Sequence, residues 1–439
     1  MKEPDKKQKT APVTEPAETA GNAPTAKAAV SAAAAETTGN AETAETAGNA
    51  AAAETAGNAP AAETSGNAGN AGNAAASVHV PFAHITKRKD LPWYKSLLIR
   101  IIAILLALVV CGIITMIMTG LNPIDVYITM FQGAFKTPRR VWTLLQETAL
   151  LMCIALALAP AFRMKFWNLG AEGQVLIGAL ATAACMIKLG GKMPNAVLIA
   201  IMAAAAIVAG AFWAFIPAFF KAKWNTNETL FTLMMNYVAT QIVAYYVIVW
   251  ESPKGSGQVG IINQSANEGW FPMIGHQKYL LNVLIVAAVS VIMFVYMKYS
   301  KHGYELSVVG ESVNTARYVG INVKKVIIRT MLLSGAICGL TGLILVGGTN
   351  HTITPTIAGG RGFTGVLVAW LGKFNPPSMI ASSLLIAFLE KAAGEISTNF
   401  DLNDSFGDIL TGIILFFIIG SDFFVNYKIN FRKRVKKND

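Results

Sequence analysis

From residue 97 onward, long apolar segments alternate with short polar ones. A bilayer core is about 30 Å thick, so a helix needs about 20 apolar residues to cross it. About ten segments read as helices, and the eighth is too short to span alone and is expected to be broken or re-entrant. They are Leu97–Thr119, Leu144–Ala161, Trp167–Ile187, Pro194–Phe220, Leu230–Trp250, Tyr279–Tyr299, Val326–Val346, Gly362–Leu371, Ser378–Ile396 and Ile409–Phe424. The pattern predicts an all-α, polytopic membrane protein.

The N-terminal stretch has a different pattern. A Glu-Thr-Ala-Gly-Asn unit begins at Glu18 and recurs at Glu45, Glu54 and, with Ser in place of Ala, Glu63. Such small and polar residues bury too little apolar area to offset the entropy of ordering. Residues 1–90 are therefore predicted to be a disordered, low-complexity cytoplasmic tail. Residues 91–426 are predicted to form the transmembrane domain, and 427–439 a basic cytoplasmic tail.

Composition and charge narrow the function classes. The chain is 54% hydrophobic and only 14% charged, with a formal net charge of +11. Its Lys and Arg residues are concentrated at both ends and in alternate loops, which predicts cytoplasmic termini and an even number of passes. No basic patch is interleaved with aromatic residues, so nucleic acid is not an expected partner. The four cysteines lie in apolar runs without a CxxC pair, and the five histidines are scattered. Neither a metal site nor catalysis is indicated.

Polar groups inside the predicted helices are the candidate functional residues. Ionisable groups at membrane depth cost roughly 2.5–3.5 kcal/mol each, so they should face the protein interior or water. The ionisable candidates are Glu147, Glu172, Glu228, Glu390, Lys391 and Glu395. Neutral donors and acceptors are added by Asn168, Gln174, Asn236 and Gln241. Each of them serves either helix packing or a substrate pathway.

Three further features concern packing, cofactors and coupling. Gly335, Gly339 and Gly342 share one face of the seventh helix, which favours close helix packing. The GxGxxG pattern at 360–365 lacks the βαβ context of a dinucleotide site and is interpreted as backbone at a broken helix near the outer face. No GxxxxGK[ST] motif is present. The polar segment 300–325 is predicted to carry one short surface helix from Glu311 to Tyr318, stopped by Gly320.

Several stretches match a known family. Residues 166–178 (FWNLGAEGQVLIG) resemble F-N-I-G-A-E-G-Q-L-L-I-G, and 227–237 resemble N-E-x-x-x-T-L-M-x-N-Y. The further matches are 309–311 and 316–324, similar to V-G-E-N and A-R-Y-A-G-I-N-V-K, and 362–376, similar to G-F-x-G-I-A-V-A-L-L-G-x-x-N-P. Residues 97–424 thus resemble the permease subunits of bacterial ABC importers of the branched-chain amino acid/simple-sugar class, in particular nucleoside or simple-sugar permeases.

The resemblance implies a transport mechanism without enzymatic activity in this chain. Two permease subunits, identical or paralogous, would form a pathway across the bacterial cytoplasmic membrane. A separate ATPase would bind ATP and Mg²⁺, and an extracytoplasmic lipoprotein would deliver a nucleoside. Expected ATPase-coupling residues are Glu311, Arg317, Tyr318 and Val319. Expected pathway residues are Asn168, Glu172, Gln174, Asn227, Glu228 and Asn236.

Alternatives remain on the residues alone. A ribose- or galactose-like sugar is the alternative solute. An ion-coupled secondary transporter, with Glu172 or Glu228 carrying the ion, is a second class, although no inverted repeat supports it. An intramembrane enzyme is a third class, for which no metal-ligand set or Ser/His pair is present.

Overall fold

The computed structural model describes residues 83–87, 92–275 and 277–431. Most of the predicted disordered tail and the last eight residues of the predicted basic tail lie outside the described residues. Within the described part, almost every residue of the apolar segments is helical, as the absence of water in a bilayer core requires of the backbone.

The helices follow one another in chain order with short connections. They are α1 (Trp93–Thr119), α2 (Pro123–Phe135), α3 (Pro138–Arg163), α4 (Ala171–Leu189), α5 (Asn195–Trp224), α6 (Glu228–Val249), α7 (Leu280–Tyr299), α8 (Lys301–Glu311), α9 (Val313–Tyr318), α10 (Val323–Leu343), α11 (Arg361–Leu371), α12 (Pro376–Asn399) and α13 (Asp404–Asn426). A π-helical turn, Ile344–Asn350, extends α10.

The predicted all-α polytopic membrane fold is confirmed. Among the described residues, 8 helices are long and apolar enough to cross a membrane. The predicted short eighth segment is α11, an apolar helix of 11 residues. The predicted ninth segment is α12, whose 24 residues are long enough to cross but include three charged side chains.

A small sheet joins the two ends of the membrane domain. Strand β1 (Ala83–Lys87) pairs antiparallel with β2 (Tyr427–Phe431), with Ile85 opposite Ile429. Both strands lie in segments that the sequence pattern predicts to be tails. Because β1 precedes the first span and β2 follows the last, both ends of the domain lie on the same side of the membrane.

Glycines bring α10 into backbone contact with α5 and α4. A methyl group on Gly339 would lie 2.1 Å from the Ala206 carbonyl oxygen, and one on Gly335 would lie 2.3 Å from that of Gly210. A methyl on Gly342 would lie 2.4 Å from the Ala179 backbone nitrogen. The predicted small-residue face therefore packs α10 at the centre of the domain, because only a residue without Cβ permits such approach.

Two helices begin inside the membrane domain. The extended segment 165–170 precedes α4, and its Asn168 contacts Ser334. Ser334 is about 17 Å along α10 from Val323, at 1.5 Å per residue. The N-terminus of α4 therefore lies within the span. Segment 351–360 similarly leads without regular helix to α11, as expected for a broken span.

Candidate translocation site

A network of neutral amides holds the entry to α4. Asn168 is fully buried, and its Nδ2 donates to Ser334 Oγ at 3.1 Å. Its Oδ1 accepts from Gln174 Nε2 at 3.2 Å and from the Gly170 backbone N–H at 3.0 Å. Gln174 is also buried. The two predicted pathway residues thus satisfy each other and the extended backbone between them.

Helix α6 completes this amide network from the other side. Asn236 Oδ1 accepts from the Gly173 N–H at 2.9 Å, and its Nδ2 donates to the Leu169 carbonyl at 2.8 Å. Thr232 Oγ1 accepts from the Leu169 N–H at 3.2 Å. These bonds replace the helical hydrogen bonds that the broken span lacks. The structure therefore brings three predicted pathway residues together, around backbone groups of the 168–174 segment.

Glu172 connects the two broken spans. It lies in the first turn of α4, and its carboxylate accepts hydrogen bonds from the backbone N–H groups of Gly360 at 2.8 Å and Gly362 at 2.7 Å. A carboxylate is stabilised at a helix N-terminus, because the free N–H groups and the helix dipole point towards it. The N-termini of α4 and α11 thus meet at the partly exposed carboxylate of Glu172.

An ionic network lies beside Glu172. Arg361, the first residue of α11, donates through Nε and Nη2 to Glu147 Oε2 at 3.1 and 2.9 Å. Lys391 Nζ lies 3.8 Å from Glu147 Oε1. The sequence pattern places Arg361 at a broken helix near the outer face, and the structure brings its side chain to Glu147 of α3. A basic residue beside a broken helix was the available signal.

Glu390 stands apart from this network. It is exposed on α12, and no hydrogen bond or ion pair to it occurs among the described residues. The charges that influence it are those of Arg361, Lys391, Glu147 and Asp408. By contrast, Glu395 one turn further binds Arg140 at 2.6 Å.

Two predicted pathway residues lie elsewhere. Asn227 is the N-cap of α6, and its side chain accepts from the Thr229 and Leu230 N–H groups at 3.0 and 3.3 Å. Glu228 pairs with Lys221 of α5 at 2.7 Å. Both residues stabilise the short α5–α6 connection, at a helix end rather than beside Asn168 or Glu172.

The predicted single surface helix is two helices. Glu311 ends α8, and Ser312 then caps α9, its Oγ accepting from the Thr315 N–H at 3.2 Å. The predicted start at Glu311 is therefore wrong, because Ser312 is the residue that can cap a helix N-terminus. The predicted stop is confirmed: Gly320 has φ +83°, a left-handed conformation.

The exposed end of α9 is fixed by its buried side. Tyr318 is 92% exposed and Val319 62%, and Glu311 and Arg317 are exposed as well. Ala316 is fully buried in a cluster with Met164 and Phe166, which lead to α4. Gly310 packs against the backbone of Arg163. The surface element is therefore anchored to the segment that enters the broken span.

One ion pair stabilises α8 outside the spans. Glu305 accepts a hydrogen bond from Arg329 Nη2 at 2.8 Å. The hydrogen bond and charge of Arg329 lower the pKa of Glu305 below its ordinary value, with a smaller contribution from His302. The carboxylate is therefore held in its charged form, and α8 is linked to the start of α10.

Together these features are those of a polytopic membrane protein with broken spans, a polar centre and a surface element anchored by its buried side. The family described as "Branched-chain amino acid transport system / permease component" matches residues 140–419. The match covers more than half of the chain and includes both broken spans. The chain belongs to this family of permease components.

Curated relatives agree with this assignment. The chain is 28% identical over 368 residues to the glucose ABC transporter permease protein TsgB13 of Haloferax volcanii, covering 80% of this chain and 94% of the relative. It is 28% identical over 328 residues to the guanosine ABC transporter permease protein NupP of Bacillus subtilis, covering 74% and 93%. It is 27% identical over 333 residues to the nucleoside ABC transporter permease protein NupB of Lactococcus lactis, covering 74% and 91%.

Proposed function

We propose that this chain is the permease subunit of an ATP-binding-cassette importer that carries nucleosides into the cell. The observation that carries the proposal is the α8–α9 element, an exposed surface with a rigid attachment to a broken transmembrane span. A passive channel has no need of such an element, whereas an importer driven by a separate ATPase must receive mechanical work through one.

The coupling surface consists of Glu311, Arg317, Tyr318 and Val319. Arg317 and Glu311 offer charges to a partner, and Tyr318 and Val319 offer apolar contact area. Movement of α9 is transmitted through Ala316 to Met164 and Phe166, and from there to the start of α4. A rigid-body movement of this kind is a common switching mechanism. The partner ATPase binds ATP and Mg²⁺, and this chain needs no cofactor of its own.

The nucleoside is favoured by two of the three relatives described above, which are permeases for guanosine and for nucleosides. A simple sugar is the second candidate, supported by the glucose permease. Both kinds of solute present hydroxyl groups, which hydrogen-bond to carboxylates, amides and cations. The polar centre of the domain is chemically suited to either.

The complete importer contains further subunits. A second permease, paralogous or identical, pairs with this chain; Bacillus subtilis has the related guanosine permease proteins NupP and NupQ. An extracytoplasmic lipoprotein delivers the solute. Excess basic residues at both ends of the domain favour cytoplasmic termini in a bacterial cell membrane. The α8–α9 element then lies on the cytoplasmic side, where the ATPase is.

The test is the simultaneous replacement of Arg317, Tyr318 and Val319 by alanine in the complete importer. We expect guanosine uptake to fall about tenfold or more and the ATPase to lose its stimulation by loaded lipoprotein, because the coupling contact is removed. The thermal midpoint of the purified chain should change little, since exposed residues contribute within about 0.5 kcal/mol to stability.

A matched control replaces Ile261 and Met273 by alanine. These two residues lie in the loop between α6 and α7 and are about as exposed as Val319. That variant should transport normally. Unchanged uptake in the α9 variant contradicts the proposal. Uptake that ceases when the ion gradient is collapsed while ATP is preserved identifies an ion-coupled carrier instead.

A further inference from the structure

We infer that the face of α12 bearing Glu390, together with Arg361, Glu147 and Lys391 behind it, is the water-lined wall along which a neutral polyhydroxylated solute passes. The inference rests on the proposed function and names the part of the chain that meets the solute. The amide residues Asn168, Gln174 and Asn236 hold the start of α4 and are not part of this wall.

Glu390 lies deep within its membrane-crossing helix. At 1.5 Å per residue it lies about 21 Å from the Pro376 end of α12 and about 14 Å from the Asn399 end. Its neighbour Lys391 approaches Glu147, which lies about 14 Å inside the span that begins at Pro138. Glu390 is therefore well inside the apolar layer, away from both ends of its helix.

Glu390 is exposed at this depth. A charged group at the centre of a bilayer costs at least about 2.5 kcal/mol, and such groups face a bundle interior or a water-filled cavity. Glu390 is exposed and without a hydrogen bond or ion pair among the described residues. Glu395, in contrast, is neutralised by Arg140 and accepts from Asn399 Nδ2 at 3.1 Å. The surface in front of Glu390 is therefore one that water reaches.

The charged groups of the wall match the chemistry of a polyhydroxylated solute. The side chains of Arg361 and Lys391 are 24% and 35% exposed, so neither cation is fully enclosed by the protein. Glu390 supplies acceptor oxygens, and the two cations supply donors. Vicinal hydroxyls of a ribose or hexose both donate and accept, so they match a wall of this composition. The opposite charges compensate one another, which keeps any single solute contact weak enough for release.

The test uses cysteine accessibility in the complete importer, reconstituted in liposomes. Glu390→Cys is introduced into a Cys185→Ala chain, because the other three native thiols are buried. The probe is a charged, membrane-impermeant methanethiosulfonate, which reacts only with a thiolate in contact with water. We expect it to label this variant about tenfold or more faster than a lipid-facing thiol. The faster labelling should appear in at least one of two states: without nucleotide, or with ATP and vanadate. Labelling should abolish most of the guanosine uptake that the unlabelled variant retains.

The matched control is Val291→Cys. Val291 is 64% exposed on α7 and lies about 12 Å from the Tyr299 end and about 17 Å from the Leu280 end of its helix, a depth similar to that of Glu390. It should label slowly. Equal labelling of the two variants in both nucleotide states overturns the inference, and so does complete labelling of Glu390→Cys with uptake unchanged. Uptake that does not depend on ATP would refute the proposed function instead. The difference in labelling rate between the two variants would still show whether water reaches the wall.

Discussion

Two polar regions lie within the membrane domain, and they differ in how their groups are satisfied. The amide network around Asn168 and Gln174 is buried, uncharged and hydrogen-bonded throughout. The ionic network around Glu147 and Arg361 is partly exposed, charged, and adjacent to the unpaired Glu390. Both regions lie next to Glu172, so the difference does not arise from depth.

The two regions therefore have different roles: the amide network supports the fold, and the ionic network with Glu390 is available for function. A fully satisfied buried network stabilises one arrangement of the backbone, and here it stabilises the break before α4. A charge left exposed at membrane depth is costly unless water or another protein meets it. Polar residues in a span therefore indicate a pathway only where some of their hydrogen-bonding capacity is left free.

The largest expected effect is in the amide network. Asn168→Leu leaves Gln174, Ser334 and the Gly170 N–H without a partner, and each buried unsatisfied group costs about 1–3 kcal/mol. We expect the free energy of unfolding in detergent to fall by about 3 kcal/mol or more. The control is Gln241→Leu, which removes an exposed amide from α6 and should change stability little. Equal midpoints for both variants in thermal unfolding would remove the distinction between the two regions.

A smaller loss is expected in the ionic network. Arg361→Ala leaves Glu147 with only the more distant Lys391, and breaking a buried pair costs up to about 3–5 kcal/mol. Because this pair is partly exposed, we expect about 1–3 kcal/mol. The double variant Arg361→Met with Glu147→Gln should recover part of that loss, since no unpaired charge remains. Unfolding midpoints of the single and double variants that coincide would show that the pair is not coupled.

The smallest effect is expected at the pair outside the spans. Arg329 lowers the pKa of Glu305, so this pair stabilises the chain fully above the ordinary carboxyl pKa of about 4.3. The contribution is lost as the pH falls through the lowered pKa of the folded state. Glu305→Gln should cost at most about 1 kcal/mol at pH 7 and should reduce the loss of stability below about pH 4. Thermal unfolding measured from pH 3 to 7 checks this, and identical acid profiles would contradict it.

The α8–α9 element shows which structural features local sequence patterns predict and which they do not. Gly320 was predicted as a stop because glycine alone adopts a left-handed turn without strain. The predicted helix start is two residues too early, because Glu311 fits a helix end as well as a helix beginning, and the residue that caps the second helix is Ser312. Ala316 and Phe166 share one buried cluster although they are far apart in the chain, and no local pattern reports this.

The sequence by itself determined the membrane class, the approximate extent of the helices, the glycine face of α10 and the break near Gly360. These follow from local quantities: segment length, apolar content and the absence of a side chain. Only the tertiary structure decided which polar residues are satisfied and which are free, since that depends on partners from other helices. Asn168 and Glu390 are both polar residues in apolar segments. Because of their neighbours in space, Asn168 supports the fold and Glu390 is left as an exposed charge.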